Sequence, residues 1–467
     1  MNKKKILITT AIDYANDVIH IGHGYEKVAA DAFARFFRAS GREVYFVIGT
    51  DEHGGNIEEI ANQKGISPKE YVDEISKADK KEFDSLNVSY DRFIRTTDLD
   101  HKERVIEFWK KSAACGDIYL GDFTGWYCNG CEAFKTSIEI VDGKCILHPT
   151  KKLQEVNEKN YFFRWSKYQS FLEKLFKNNP RFILPESRGH EMLSFLKQGI
   201  EDITISRENV SWGIPVPDDS TQVIYVWFDA LINYYTAAVA KGFWDETTDI
   251  VHILGKDNLR WHALLWPAIL KSVGLRLPDT VYAHGFINLN GQKISKSLGN
   301  VIKVSELVEK FGSDGARYVL LKLGPWNEDA DISWEKFTET YNADLANGIG
   351  NLVQRVATLC EKNNLSFPHF TLTISQPIIA ALESFSISQA IEAIRKSVSE
   401  ADQFINENAP WKKSGKELEE ILSLAVNQIR QIGKDIEPFL PAASKKIAEI
   451  FNAQPIKTAP ALFKRTN

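Results

Sequence analysis

The residues best placed to do chemistry are His20 and His23, three positions apart in His20-Ile21-Gly22-His23. They follow Lys5-Ile-Leu-Ile-Thr-Thr-Ala11, a β-branched apolar run that reads as a buried parallel strand. After them Val28, Ala29, Ala32, Phe33, Phe36 and Phe37 recur at helical spacing, and Gly41 closes the pattern. Both imidazoles therefore sit where a strand's carboxyl end passes into a helix N-terminus. Such a place is an anion site, with free backbone N–H groups and the positive end of the helix dipole. His20 and His23 can donate to phosphate oxygens as charge develops there, and Gly22 lets a bulky ligand lie against the backbone. Taken alone, two such residues are more often ordinary histidines at a helix start.

A second basic element makes that bland reading hard to keep. Lys293 and Lys296 lie three apart in Lys293-Ile-Ser-Lys296-Ser297-Leu-Gly-Asn300, on a Gly-edged loop delivered by the hairpin signal Asn290-Gly291. Two lysines on such a loop can clamp a polyphosphate and release it. Asp51 ends another buried strand, Val44 to Ile48, within Gly49-Thr-Asp-Glu-His-Gly54. A carboxylate at that edge suits an ammonium group, or it simply caps the next helix. Cys128 and Cys131 are followed, after thirteen residues, by Cys145 and His148. These two knuckles have the spacing of one tetrahedral zinc with no open position, so the ion would be structural. A dithiol redox pair leaves Cys145 and His148 unexplained. Cys115 and Cys360 read as isolated core thiols.

The elements that position these groups alternate between strand and helix. A strand over Ile250 to Leu254 runs through Gly255-Lys-Asp257 into a helix from Asn258 to Ser272 that carries His262 and Trp266 one turn apart. Val223 to Tyr234 passes from strand to helix, with Trp227, Ala230 and Tyr234 on one face. An aromatic stripe at that spacing is more often core than pocket. The region from about Ser67 to Ala114 reads as helical with a break at 96–100, and a continuous strand is expected over Val281 to Leu289. This second strand–helix series follows an insertion of over a hundred residues. The fold class is therefore α/β, a doubly wound parallel sheet split in two. From Val304 onward the patterning is amphipathic and helical, a small linking module and then a bundle.

The bulk numbers agree. A chain of 467 residues is too long for one core. Its net charge of −5 exerts no general pull on nucleic acid, so any RNA contact must come from local basic patches. Five cysteines, three of them clustered with a histidine, argue for a metal over a disulfide framework. No apolar run reaches membrane-spanning length and no signal-peptide pattern precedes the first strand, so a cytoplasmic location without membrane contact is expected.

Together these residues resemble the methionyl-tRNA synthetases of class I over essentially the whole chain. The pairing of 20–23 with 293–297 is similar to the two signature motifs of the class. Thr10-Ala-Ile-Asp-Tyr-Ala-Asn16, Tyr225-Val-Trp-Phe-Asp-Ala230, Gly255-Lys-Asp257, His262-Ala-Leu-Leu-Trp-Pro267 and Asn408-Ala-Pro-Trp411 resemble the methionyl branch. The resemblance implies methionine activation with Mg-ATP and transfer to initiator and elongator tRNA(Met). It implies that Asp51 pairs with the methionine amino group, and that Ala11, Ile12, Tyr14, Trp227, Ala230, Tyr234, His262 and Trp266 line the methionine pocket, which reverses the core reading of the stripe. His20, Gly22, His23, Glu26, Gly255 and Asp257 would hold ATP, with Lys293 and Lys296 on the leaving pyrophosphate. His20, His23, Lys293 and Lys296 would be the catalytic set, and Cys128, Cys131, Cys145 and His148 would ligate one Zn2+.

The implied plan is a Rossmann-like catalytic domain in two halves (1–114 and 223–292) around a connective domain (115–222, zinc knuckle 125–150). A lysine-loop and stem-contact module (293–346) and an all-α anticodon-binding domain (347–467) follow. A monomer is expected. Departures from the family pattern are Ile294 for the usual Met, Ile12-Asp13 for Leu-Pro, Leu231 for Pro, Asn258 for an aliphatic residue and Asp402 for Asn. The alternatives are a class I synthetase of other specificity and a non-catalytic tRNA-binding paralogue.

Overall fold

A computed structural model describes residues 4–128, 133–135, 140–146, 152–294 and 299–467. The chain divides into two compact units, the first comprising residues 1–19, 43–81 and 90–284 and the second residues 20–42, 82–89 and 285–467.

The first unit is built on a seven-stranded sheet. Its strands are β1 (Lys5–Thr10), β2 (Asp13–Tyr14), β3 (Glu43–Asp51), β4 (Arg92–Arg95), β5 (Ile183–Leu184), β6 (Thr248–Gly255) and β7 (Thr280–His284). They run in the order β5-β7-β6-β1-β3-β2, with β4 also paired to β3. All the pairings are parallel. β1 is paired on one side with β3, which follows it in sequence, and on the other with β6, from which it is separated by the insertion. The order therefore reverses at β1, and doubly wound sheets bind ligands at such a point, outside the carboxyl ends of the strands. Residues 10–12, 50–52 and 254–257 occupy those ends. The predicted split doubly wound sheet is thus present.

The insertion is a separate antiparallel layer. Ile118–Cys128 pairs with Gln154–Phe163 over ten register positions, Ile118 opposite Phe163 and Tyr127 opposite Gln154. Ile140–Val141 and Lys144–Cys145 form a short hairpin, turned by Asp142 and Gly143 at positive φ.

Three local readings change. The stretch 67–114 is not helical apart from one break: helices Pro68–Ser85 and Leu99–Ala114 flank β4, whose four residues carry too little periodicity to show as a strand. The continuous strand expected over 281–289 is two strands in different sheets. β7 stops at His284, and Ile287–Leu289 pairs instead with Ala330–Ile332 and Gln292–Lys293. The hairpin signal between the last pair holds, with both Asn290 and Gly291 at positive φ. Cys115 is exposed, because it terminates the Leu99–Ala114 helix, whereas Cys360 is buried as expected.

The second unit holds the helix Ile21–Ala39, the kinked helix Val304–Leu323 and the helical region from 334 onward. At its centre Arg317 and Asp31 are both fully buried and paired at 2.7 Å. Arg317 also donates to the carbonyls of Phe439, Leu86 and Pro438, while Asp31 accepts from Arg35 and Ser89. Burial alone would raise the Asp31 pKa, but the Arg317 and Arg35 charges and the Ser89 hydroxyl outweigh it and hold the carboxyl below its usual value. The bundle proper packs Asn351–Lys362, Ile387–Asn408, Gly415–Asp435 and Pro441–Phe451 through apolar faces at helical spacing, such as Leu418, Leu422, Ala425, Val426 and Ile429.

Candidate active site

The histidine motif lies in the second unit. His20 is the N-cap of the Ile21–Ala39 helix, with extended backbone, and its Nδ1 accepts the Gly22 N–H at 3.0 Å. His23 Nδ1 accepts the His20 N–H at 3.2 Å, which completes a reciprocal capping box made of two imidazoles. A ring nitrogen that accepts carries no proton, so in the neutral rings both protons sit on Nε2. The Ile21 N–H is taken by the Ile302 carbonyl at 3.1 Å. This corrects one expectation. Several helix-start N–H groups are already satisfied within the protein. The reason for Gly22 is equally local, since a Cβ there would stand 2.8 Å from the His20 ring. Glu26 is buried, and it accepts from Lys27 at 3.0 Å.

The Ile21–Ile302 bond also ties the histidine motif to the segment just downstream of the lysine loop. The backbone of Lys293 ends the hairpin strand Gln292–Lys293, and Ile294 is buried, so the departure from Met keeps an apolar anchor. Lys296 lies outside the described residues.

The remaining predicted residues belong to the first unit. Asp51 ends β3, where Tyr14 of β2 pairs with it and its carbonyl accepts the Ala15 N–H at 2.8 Å. The segment after the first strand thus contributes a short strand of its own. Ala11, Ile12, Trp227, Tyr234 and Trp266 fall in one apolar cluster, whereas Tyr14 packs in a second one with Ile57, Tyr71 and Trp212. Trp227 stacks on Trp261 at 4.6 Å. Ala230 is buried on the short helix Val226–Leu231. Gly255 ends β6, and Asp257 turns back toward it, its Oδ1 lying 2.7 Å from where a Gly255 Cβ would be.

His262 sits in a π-helical turn, Trp261–Leu265, a geometry that recurs at functional sites. Its Nδ1–H donates to the Asn258 carbonyl at 2.8 Å, so its Nε2 accepts the Tyr234 hydroxyl at 2.6 Å. Asn258 therefore serves this network through its backbone.

Behind these residues lies His252, which sequence reasoning missed. Trp266 Nε1–H donates to its Nε2 at 3.3 Å, which leaves the proton on Nδ1, and that N–H meets Thr9 Oγ1 at 2.6 Å. Burial, helped by nearby His262, pushes the His252 pKa well below the usual value and keeps the ring neutral. A histidine inside the apolar run of β6 was the available signal. Also missed were Asp229, bonded to His53 and His101, and Glu52, which Arg95 grips through Nε and Nη2 at 2.6 and 2.9 Å.

Of the metal set, Cys128 and Cys145 are buried at strand ends of the insertion. Cys131 and His148 lie outside the described residues. Among the described residues no cluster of three or more metal-binding side chains occurs.

Comparison with known proteins gives a consistent result. The family model described as "tRNA synthetases class I (M)" matches residues 6–154 and 136–357. The methionine–tRNA ligase of Caldanaerobacter subterraneus subsp. tengcongensis is 43% identical over 96% of this chain and 74% of the relative. That of Nostoc is 40% identical over 95% of this chain and 89% of the relative. The Mycobacterium tuberculosis methionyl-tRNA synthetase in complex with methionyl-adenylate superposes with a TM-score of 0.89 at 35% identity, covering 96% of this chain and 94% of that one. The histidine-capped helix start, the parallel sheet that reverses at β1 and these likenesses over nearly the full length lead to one conclusion: the chain belongs to the class I methionyl-tRNA synthetases.

Proposed function

We propose that the enzyme activates L-methionine with Mg-ATP and passes the methionyl group to tRNA(Met), and that the site residues named above perform it. The observation that carries this reading is the pair of cap imidazoles, tied through Ile21 and Ile302 to the segment that follows the lysine loop. A methionine carboxylate oxygen attacks the α-phosphorus of ATP, and the bond to the bridging oxygen breaks, releasing pyrophosphate. The terminal ribose hydroxyl of tRNA then attacks the methionyl carbonyl, and AMP leaves. Little proton transfer is asked of the protein, so rate comes from positioning and from charge stabilisation. Mg2+, arriving with ATP, neutralises phosphate charge.

In this scheme Asp51 holds the methionine ammonium, while Ala11, Ile12, Tyr14, Trp227, Ala230, Tyr234, His262 and Trp266 shape the pocket. His20, Gly22, His23, Glu26, Gly255 and Asp257 hold the nucleotide, and Lys293 and Lys296 steady the pyrophosphate. Homocysteine lacks only one methyl group, so an apolar pocket rejects it by roughly 10- to 200-fold. The test is methionine-dependent exchange of labelled pyrophosphate into ATP. Lys296→Ala should reduce exchange steeply while leaving methionine binding nearly intact; unchanged exchange would remove the lysine from the reaction. Exchange driven by a different amino acid would keep the class and discard the specificity.

We also propose that Cys128, Cys131, Cys145 and His148 hold one structural zinc within a connective domain at 115–222. Two buried thiols in one β-rich insertion and a three-sulfur, one-nitrogen donor set suit that ion. Cys131→Ser is expected to lose metal and lower the melting temperature. A variant with full metal content and normal melting would refute the site.

The bundle from about 347 would meet the tRNA anticodon loop. Trp411 there is half-exposed, with the Arg355 guanidinium 5.7 Å from its ring centre and Arg355 itself held by Asp402 at 2.6 Å. An exposed aromatic ring beside a fixed cation is a stacking platform for a base. The substituted Asp402 thus has a role in orienting Arg355. The domain limits 1–114, 115–222, 223–292, 293–346 and 347–467, a monomeric state and a cytoplasmic location belong to the same proposal; among the described residues no helix is long and apolar enough to cross a membrane.

A further inference from the structure

Asp229 sits inside the helix Val226–Leu231, fully buried in an otherwise apolar run. Its two carboxylate oxygens are each taken by a histidine. His53 Nδ1–H donates to Oδ2 at 2.6 Å and His101 Nε2–H to Oδ1 at 2.7 Å. Both rings are buried as well. The three residues come from remote parts of the sequence: the loop after β3, the first turns of the Leu99–Ala114 helix, and the pocket helix. Burying a carboxylate without partners is costly, and exchanging a buried charged cluster for apolar side chains is often neutral or stabilising. Stability by itself therefore gives little reason for this arrangement.

Its location gives a better one. Asp229 lies two residues after Trp227 and one before Ala230, while His53 lies two residues after Asp51. The intervening residue, Glu52, is fixed in every direction. Its carboxylate accepts from Arg95 at 2.6 and 2.9 Å and from Thr97 at 2.5 Å, its N–H donates to Thr96 Oγ1 at 2.9 Å, and its carbonyl accepts from Trp212 Nε1 at 2.5 Å. On the other side, the Asp51 carbonyl is held by Ala15. Asp51 is thus bracketed, and the bond of His53 to Asp229 joins its loop to the pocket helix.

We infer that Asp229, with His53 and His101, is a positioning unit that sets the span between Asp51 and Trp227 and so tunes methionine affinity. The inference rests on the proposed pocket. His101 grounds the carboxylate on a rigid helix, and His53 carries its position to the loop. A misplacement of about 1 Å between the ammonium partner and the apolar wall is enough to weaken recognition by about 10- to 100-fold.

The test compares His53→Leu, His53→Asn, His101→Leu and Asp51→Asn in the full-length enzyme. Each is followed by pyrophosphate exchange with methionine and ATP varied separately, and by thermal melting. His53→Leu and His101→Leu should raise the KM for methionine at least about tenfold while the KM for ATP stays within about twofold. His53→Asn, whose amide N–H can replace Nδ1–H, should recover most of the loss. Should the leucine variants not fold, Asp229→Asn is read by the same criterion. A wild-type methionine KM, or equal rises in both KM values, would overturn the inference. Asp51→Asn separates the two levels. If it leaves the methionine KM unchanged, the pocket reading itself falls; if it alone raises that KM, only the positioning unit falls.

Discussion

Replacing His23 by alanine is expected to lower methionine-dependent pyrophosphate exchange by about two to three orders of magnitude, the range seen when one preorganised donor to developing charge is lost. The capping geometry permits a sharper experiment. His23 uses Nδ1 to accept the His20 N–H and is left with its proton on Nε2. Asparagine places an acceptor oxygen near the position of Nδ1, and glutamine places an amide donor near that of Nε2. His23→Asn should therefore preserve the helix start and the melting temperature yet lose most of the activity. His23→Gln should retain more activity while it weakens the cap, a loss worth about 1 kcal/mol. The opposite ranking would make the ring a structural cap and nothing more. The same pair of substitutions at His20, whose Nδ1 accepts the Gly22 N–H, should give the same ranking.

The largest effect on stability is expected at Arg317. Removing one partner of a buried ion pair leaves the other charge uncompensated, which costs about 3–5 kcal/mol. Arg317→Met takes the buried cation from Asp31, leaving it the partly exposed Arg35 and Ser89, and strands three backbone carbonyls at once. Denaturant unfolding followed by helical circular dichroism should show a loss in that range, and Asp31→Asn a loss of the same sign. Combining the two should be less damaging than the sum, because no lone charge remains. The sign of the pH dependence follows from the Asp31 pKa, which lies below its unfolded value of 3.8. The pair's contribution is complete well above that value and is lost as the pH falls below about 4. The difference between wild type and Asp31→Asn should therefore shrink in acid. A constant difference down to pH 2 would place the stabilisation elsewhere.

What could be read from the residues beforehand was whatever depends on short-range pattern. β1, β3 and β6 are apolar runs followed by polar loops, and Asn290-Gly291 turns its hairpin for a local reason. The helix from Ile21 was legible from its apolar stripe and closing glycine. What escaped depends on partners distant in sequence. β4 has four residues with arginine at both ends and becomes a strand only because β3 lies beside it. The expected strand over 281–289 breaks because its two halves pair with different neighbours. The buried carboxylate in Val226–Leu231 demanded a partner, but its histidines stand 176 and 128 positions away, beyond any local rule. The free N–H groups expected at the helix start were answered by the cap rings and by the Ile302 carbonyl. That outcome needed the rotamers of His20 and His23, which no spacing reveals.

The reversal of the sheet at β1 has a consequence for biosynthesis. Thr9 finds one companion, Val47, early, but its other companion, His252, is 243 positions on. At translation speeds of about 5–20 residues per second, the central strand emerges roughly 10–50 s before its second edge can be covered. During that interval a β-branched apolar ribbon is open to pairing with a neighbouring nascent chain, so handling by cellular chaperones should matter more for this half of the enzyme than for the locally folding bundle.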